Sequence, residues 1–171
     1  CAPQALESKL SDYSFAIRVG SELFVRSIAR IDHQQQIVQL FCDVAPGEEL
    51  VMVRRTPLRD ATRLDYEQFL RGKGGQPVAG ILNDCILRRL NNAGELGGMA
   101  GTFGDVPLAG FSTFGEILGL NLNQTLTAIF FFRVAKGASF SDEYVDNFIA
   151  HYGEFKAFFL RRQVKKLAGL N

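Results

Sequence analysis

The 171-residue chain, 47% apolar and 22% charged, is long enough to bury one sizeable core but short for two ordinary domains, so one domain with an appendage is expected. Its basic and acidic residues nearly cancel, leaving a formal charge of +1; that excludes the strongly basic footprint that releases counterions from a nucleic-acid backbone. The longest apolar run, Leu126 to Phe132 with Thr127 inside it, falls far short of the roughly 20 residues that span a bilayer.

Cys1-Ala2-Pro3-Gln4 lacks a basic stretch followed by an apolar one, so it does not read as a secretory signal, and a cytoplasmic location is expected. Cys1, Cys42 and Cys85 are odd in number and widely spaced. They suit neither a disulfide framework nor a zinc site, and reduced thiols are the simple reading.

Tyr13, Phe15, Ile17 and Val19 alternate with smaller or polar residues, as in a half-buried strand. Gly20-Ser21 marks a turn, and a second strand is expected over 22–31, with Leu23, Val25, Ala29 and Ile31 on one face and Glu22, Arg26 and Arg30 on the other. Ile37 to Cys42 and Glu49 to Arg54 are further strand-like runs around a Pro46-Gly47 turn. The first third therefore predicts an antiparallel meander.

Thr56-Pro57 reads as an N-cap with proline at the first helical position, opening a helix that stops near Gly72-Lys73-Gly74-Gly75. Those glycines superficially suggest phosphate binding but lack the G-x-x-x-x-G-K-[ST] pattern. Pro77 to Arg89 begins apolar and turns polar at Asn83-Asp84-Cys85, as expected of a central strand delivering functional groups at its end. A segment rich in small residues follows to Gly104. Val106 to Ile117 and Gln124 to Val134 predict two more strands, the latter apolar on both faces and so expected inside the sheet.

From Ser141 to about Ala168 a long helix is expected, opening on Ser139, Ser141, Asp142 and Glu143 and closing on Arg161, Arg162, Lys165 and Lys166, an order that complements the helix dipole. It would be about 40 Å long. Val145, Phe148, Tyr152, Phe155 and Phe159 recur at spacings of three and four, a stripe able to dock on the domain or to pair with a second copy as a homodimer. The expected class is α+β, a largely antiparallel sheet with flanking helices and a long C-terminal helix, divided as 1–136 and 137–171.

Gly110-Phe111-Ser112-Thr113-Phe114-Gly115-Glu116-Ile117, followed by Asn123-Gln124-Thr125-Leu126-Thr127, resembles the signature of the FIST C-terminal domain, in which a G-F-x-[ST]-[FY]-G-E-[IL] segment precedes an N-x-T strand start. Cys85-Ile86-Leu87-Arg88 looks like the family's C-x-x-R strand end, with Leu87 where members often carry glycine. The Arg26 strand and the Pro46-Gly47 turn also sit where the family has counterparts. The resemblance runs from about Ser11 to Val134. It implies a cytoplasmic sensory module ahead of chemoreceptor, histidine-kinase or diguanylate-cyclase outputs, binding small ligands such as amino acids; some members are described as haem-based nitric oxide sensors. It also implies an N-terminal half that this chain lacks.

Glu116, among a glycine and aromatics, needs a partner if buried, either a ligand ammonium or Arg88. Arg88 can hold a ligand carboxylate with its planar fork, or pair with Asp84 or Glu116. Asn123 and Thr125 are ligand contacts or satisfy backbone groups at a strand start, and Thr113 of the motif joins the candidate set. Cys85 is a reactive thiol if Arg88 lowers its pKa, or a buried inert one. With only His33 and His151, no Ser-His-Asp or Cys-His set assembles. Haem would need an axial ligand, commonly His, Cys, Met or Tyr; His33 sits in a polar loop and His151 on the long helix, neither in an obvious apolar pocket, and no cofactor is expected to be required.

Three functions compete. The first is a ligand-binding module with a cleft lined by Glu116, Arg88 and Asn123, signalling through the terminal helix to a downstream output domain. The second is an enzyme acting through Cys85, and the third is a protein-interaction scaffold.

Overall fold

Strands, helices and a long C-terminal helix bear out the α+β class in the computed structural model, which describes residues 3–169. Cys1 lies outside the described residues. The contacts divide the chain into two compact units interleaved in sequence. The first comprises residues up to Arg55, Ile117–Asn123 and the chain from Ile149; the second comprises Thr56–Glu116 and Gln124–Phe148. No helix among the described residues is long and apolar enough to cross a membrane.

In the first unit, helix α1 (Pro3–Leu10) precedes β1 (Tyr13–Val19), the centre of an antiparallel sheet ordered β2-β1-β5, with β2 at Glu22–Arg26 and β5 at Val51–Arg54. The β1–β2 hairpin turns where Gly20 adopts φ +58°, a conformation that costs glycine little. The expected second strand is broken at Ser27. Beyond it, β3 (Ile28–Asp32) pairs only with β4 (Ile37–Leu40). The first third is therefore not one meander: β4 leaves Ile37 and Val38 half-exposed, and it is β5 that lies beside β1.

The inward face of β2 is the opposite of the expected one. Phe24 and Arg26 are buried, whereas Leu23 is 40% exposed. Phe24 joins Ile17, Val19, Leu120, Leu122 and Phe158 in the core, because an aromatic ring has more apolar surface to withdraw from water than Leu23. Leu120 and Leu122 come from β9 (Leu120–Leu122), which pairs with β8 (Glu116–Leu118).

The expected long helix is two helices. Asp142 caps α4 (Glu143–Asp146) by accepting a hydrogen bond from the Val145 N–H at 3.0 Å, and the helix ends at Asn147. The Asn147 side chain donates to the Glu143 carbonyl at 2.9 Å, the local competition with helical bonding that disfavours asparagine inside a helix. Helix α5 (Phe148–Ala168) then runs 21 residues, about 32 Å. Phe155 meets Phe24 edge-on, with ring centroids 5.5 Å apart, and Phe158 is buried. The other members of the aromatic stripe, Val145, Phe148, Tyr152 and Phe159, remain exposed.

The second unit is built on a three-stranded sheet, β10-β6-β7, with β6 (Pro77–Cys85) central as expected. β10 (Leu126–Phe132) runs antiparallel to β6, and β7 (Leu108–Thr113) runs parallel to it. β10 is thus at an edge of this sheet, not inside it. Its alternate side chains part: Ile129 and Phe131 are exposed, whereas Phe130 and Phe132 join a cluster of Tyr66, Phe69, Phe103 and Phe140. Tyr66 and Phe69 come from α2 (Leu58–Phe69), whose N-cap position is Pro57 and not Thr56, with no side-chain cap bond. The expected strand over 106–117 divides at Phe114-Gly115 into β7 and β8. After β6 the chain enters α3 (Ile86–Asn91) and a 3-10 segment, Ala93–Met99.

Candidate functional site

The second unit gathers five of the six candidate residues near one end of its sheet. In register, Cys85 at the end of β6 lies opposite Thr113 at the end of parallel β7. On the other side its backbone N–H donates to the Thr125 carbonyl at 3.1 Å. Glu116, directly after the Phe114-Gly115 turn that ends β7, carries its carboxylate back to these strand ends. Thr113 Oγ1 donates to Oε1 and Thr125 Oγ1 donates to Oε2 at 2.5 Å. Glu116 is only 4% exposed, and both donors are neutral hydroxyls. Among the described residues this carboxylate is hydrogen-bonded but not ion-paired.

Arg88 took the other course open to it. From the first turn of α3 it reaches back to Asp84, Nη1 to Oδ1 at 2.8 Å, and its Nη2 donates to the Thr62 hydroxyl of α2. The guanidinium is buried, and this i,i+4 pair binds the end of β6 to the helices beside it. Cys85 is fully buried, the environment of a packed thiol.

A family profile described as FIST C domain matches residues 1–119. The chain belongs to the FIST C domain family. No curated protein and no solved structure matches it. This is a sensory domain family. The Gly110–Ile117 segment and Thr125 converge on one carboxylate and place Glu116 at the end of the sheet.

Asn123, the sixth candidate residue, lies in the first unit of this FIST C domain. It is 2% exposed. Its N–H donates to the Val25 carbonyl at 3.2 Å, and its Oδ1 accepts from the Ser27 N–H at 3.4 Å and from the Cys42 thiol at 3.0 Å. These bonds tie β9 to the point where the chain leaves β2. They are backbone satisfaction of the kind weighed against ligand contact.

Sequence reasoning missed Arg26, which it placed on the polar face. Arg26 is fully buried; Nη1 donates to the carbonyl of Asn121 and, at 3.3 Å, to that of Val25, while Nε and Nη2 have no hydrogen-bond partner among the described residues. Burial pulls the guanidinium below its ordinary pKa, opposed by Cys42, Asp43 and Glu48. It still carries its charge at neutral pH. The sequence signals were that Arg26 shares a face with Phe24 and that its strand sits where the family has a counterpart.

Lys73 was also missed. The Gly72-Lys73-Gly74-Gly75 stretch does follow the end of α2, with Gly72 at φ +74°, but its lysine is a structural cation. The ammonium lies 3.2 Å from Asp142, donates to the Ser141 carbonyl at 3.3 Å, and sits 4.3 Å from the centre of the Phe69 ring. Asp142 is held below its ordinary 3.8, first by the Val145 N–H and then by Lys73. A depressed folded-state pKa contributes stability that is complete above the ordinary value and is lost as pH falls through the lower one. Asp142→Asn, which retains a capping side chain, is expected to flatten the acid limb of the melting temperature below about pH 4. An acid limb identical to wild type would show that Asp142 contributes nothing to it.

Proposed function

We propose that this FIST C domain is the cytoplasmic, non-enzymatic ligand-sensing module of a bacterial signal-transduction receptor of the chemotaxis type. In this reading Glu116 receives the ammonium of a small molecule such as an amino acid. The observation that supports it is a buried carboxylate whose hydrogen bonds, among the described residues, come only from the hydroxyls of Thr113 and Thr125. A carboxylate withdrawn from water without a counter-cation attracts one more strongly than a solvated carboxylate does. Arg88 and Cys85, near the same sheet end, complete the contact set, and residues 137–171 carry the response to an output domain.

Glu116→Gln removes the charge and keeps the shape. In a thermal-shift panel of amino acids and other amines, an active ligand raises the wild-type melting temperature through its preference for the folded state. The variant is expected to bind that ligand about tenfold or more weakly. Equal affinity in the two proteins would remove Glu116 from the site. The same panel with haem, followed by absorption, tests the gas-sensing alternative.

A second reading, a protein-interaction scaffold, is favoured by Phe111 and Phe114, which are 66% and 92% exposed in the Glu116 motif. Exposed aromatic rings of this kind mark contact surfaces. If Phe114→Ser abolished the ligand-induced shift without weakening any protein contact, the scaffold reading would lose its support.

A further inference from the structure

An open groove of about 510 Å³ lies within the first unit, between β1, β5 and the C-terminal half of α5. Its volume falls within the range of small-molecule sites. Ile17, Val51 and Phe158 are the apolar part of its lining, while Arg18 of β1 and Arg161 and Lys165 of α5 supply cations. Four cations and two carboxylates line the groove, a larger positive excess than the whole chain carries.

The pairing within the groove concentrates that excess on three side chains. Arg162 is shared between Asp43 and, at 3.1 Å, Glu48, so Glu48 is already engaged. Lys165 donates to the Gly47 carbonyl at 2.6 Å, which fixes its ammonium in place without neutralising it. Among the described residues Arg18 and Arg161 have no carboxylate partner. Glu49 is the one lining carboxylate left to oppose three cations.

We propose that this groove binds an organic anion, a carboxylate or phosphate monoester with an apolar body, whose charged end is held by Arg18, Arg161 and Lys165 and whose body lies on Ile17, Val51 and Phe158. Guanidinium groups suit both acids because their planar forks match the oxygens of either. The site is separate in residues and in ligand charge from the ammonium site proposed at Glu116. Because it takes one wall from β1 and β5 and the other from α5, its ligand fastens the terminal helix to the sheet.

The chain contains no tryptophan, so Glu49→Trp places a unique fluorophore in the groove while removing the opposing carboxylate. Titration of this variant with phenyl phosphate and with octanoate, excited at the tryptophan, is expected to give a saturable emission change with at least one of them. Adding Arg161→Glu is expected to weaken that binding about tenfold, and salt at about 0.5 M to weaken it further. Arg161 is exposed and has no carboxylate partner among the described residues, so an unchanged melting temperature is expected to accompany the loss. Inorganic phosphate, which lacks an apolar body, is expected to bind more weakly than phenyl phosphate. No response to either organic anion would overturn the proposal. So would an affinity that Arg161→Glu and Arg18→Glu leave within about twofold of the parent, or a response to anionic phospholipid vesicles with none to the soluble anions.

Discussion

Phe158→Ala is expected to destabilise the first unit by about 3–5 kcal/mol, the cost of removing a buried aromatic ring and leaving part of its volume empty. Phe158 is in the core with Ile17, Val19, Phe24, Leu120 and Leu122, so the loss falls on β1, β2, β9 and α5 together. For a chain of this size the melting midpoint should drop by about 10 °C. A drop under about 2 °C would mean that α5 is not docked as described. Phe155→Glu is the companion test, because Phe155 packs edge-on against Phe24. A charge placed there should lower the melting temperature of a monomer. Sedimentation of a wild-type dimer that Phe155→Glu dissolves would show instead that this face is a seam between copies.

Gly110→Ala should be comparably damaging, for a different reason. A Cβ built at Gly110 would stand 2.1 Å from the Leu82 carbonyl oxygen, and Leu82 is its register partner across the parallel β6–β7 pair. Backbone cannot rotate away as a side-chain tip can, so the two strands must separate. Overpacking against backbone costs about 3 kcal/mol or more. Gly97→Ala, with nothing within 4 Å of its added Cβ, is the control and should change stability by no more than about 0.5 kcal/mol. Urea melts of both variants test the comparison; equal midpoints would refute the close approach.

Where one residue's chemistry dominates its surroundings, the sequence was legible. The alternation from Tyr13 to Val19 gave β1, Gly20 gave its turn, and the polar end of Pro77–Cys85 gave a central strand. The Gly110–Ile117 motif gave Glu116 as a carboxylate in a buried setting. What escaped depended on contacts between distant segments. The period of β2 fits either face, and only Leu120, Leu122 and Phe158, far along the chain, select Phe24 over Leu23. Nothing near Arg88 reveals that Asp84 and Thr62 claim it. A strand's own residues do not say whether its neighbour is parallel, so β7 beside β6 was not foreseen. The break at Asn147 turns on one side chain bonding its own backbone, an effect too local for a periodicity to register.

The chain passes between its two units at Arg55, Glu116, Asn123 and Phe148, which orders events during synthesis. Strands β1 and β2 leave the ribosome long before the segments that complete their core. Arg26 must wait for Asn121, 95 residues later, and Asp43 for Arg162, 119 residues later. Closing loops of that length slows folding because their entropy is lost before any contact repays it. The second unit, though carried largely by the middle of the chain, is itself interrupted by 117–123. Vectorial translation therefore cannot finish the first unit before the second has been synthesised; a contiguous fragment that holds the first unit includes the second, whereas residues 56–148 hold the second with only 117–123 of the first.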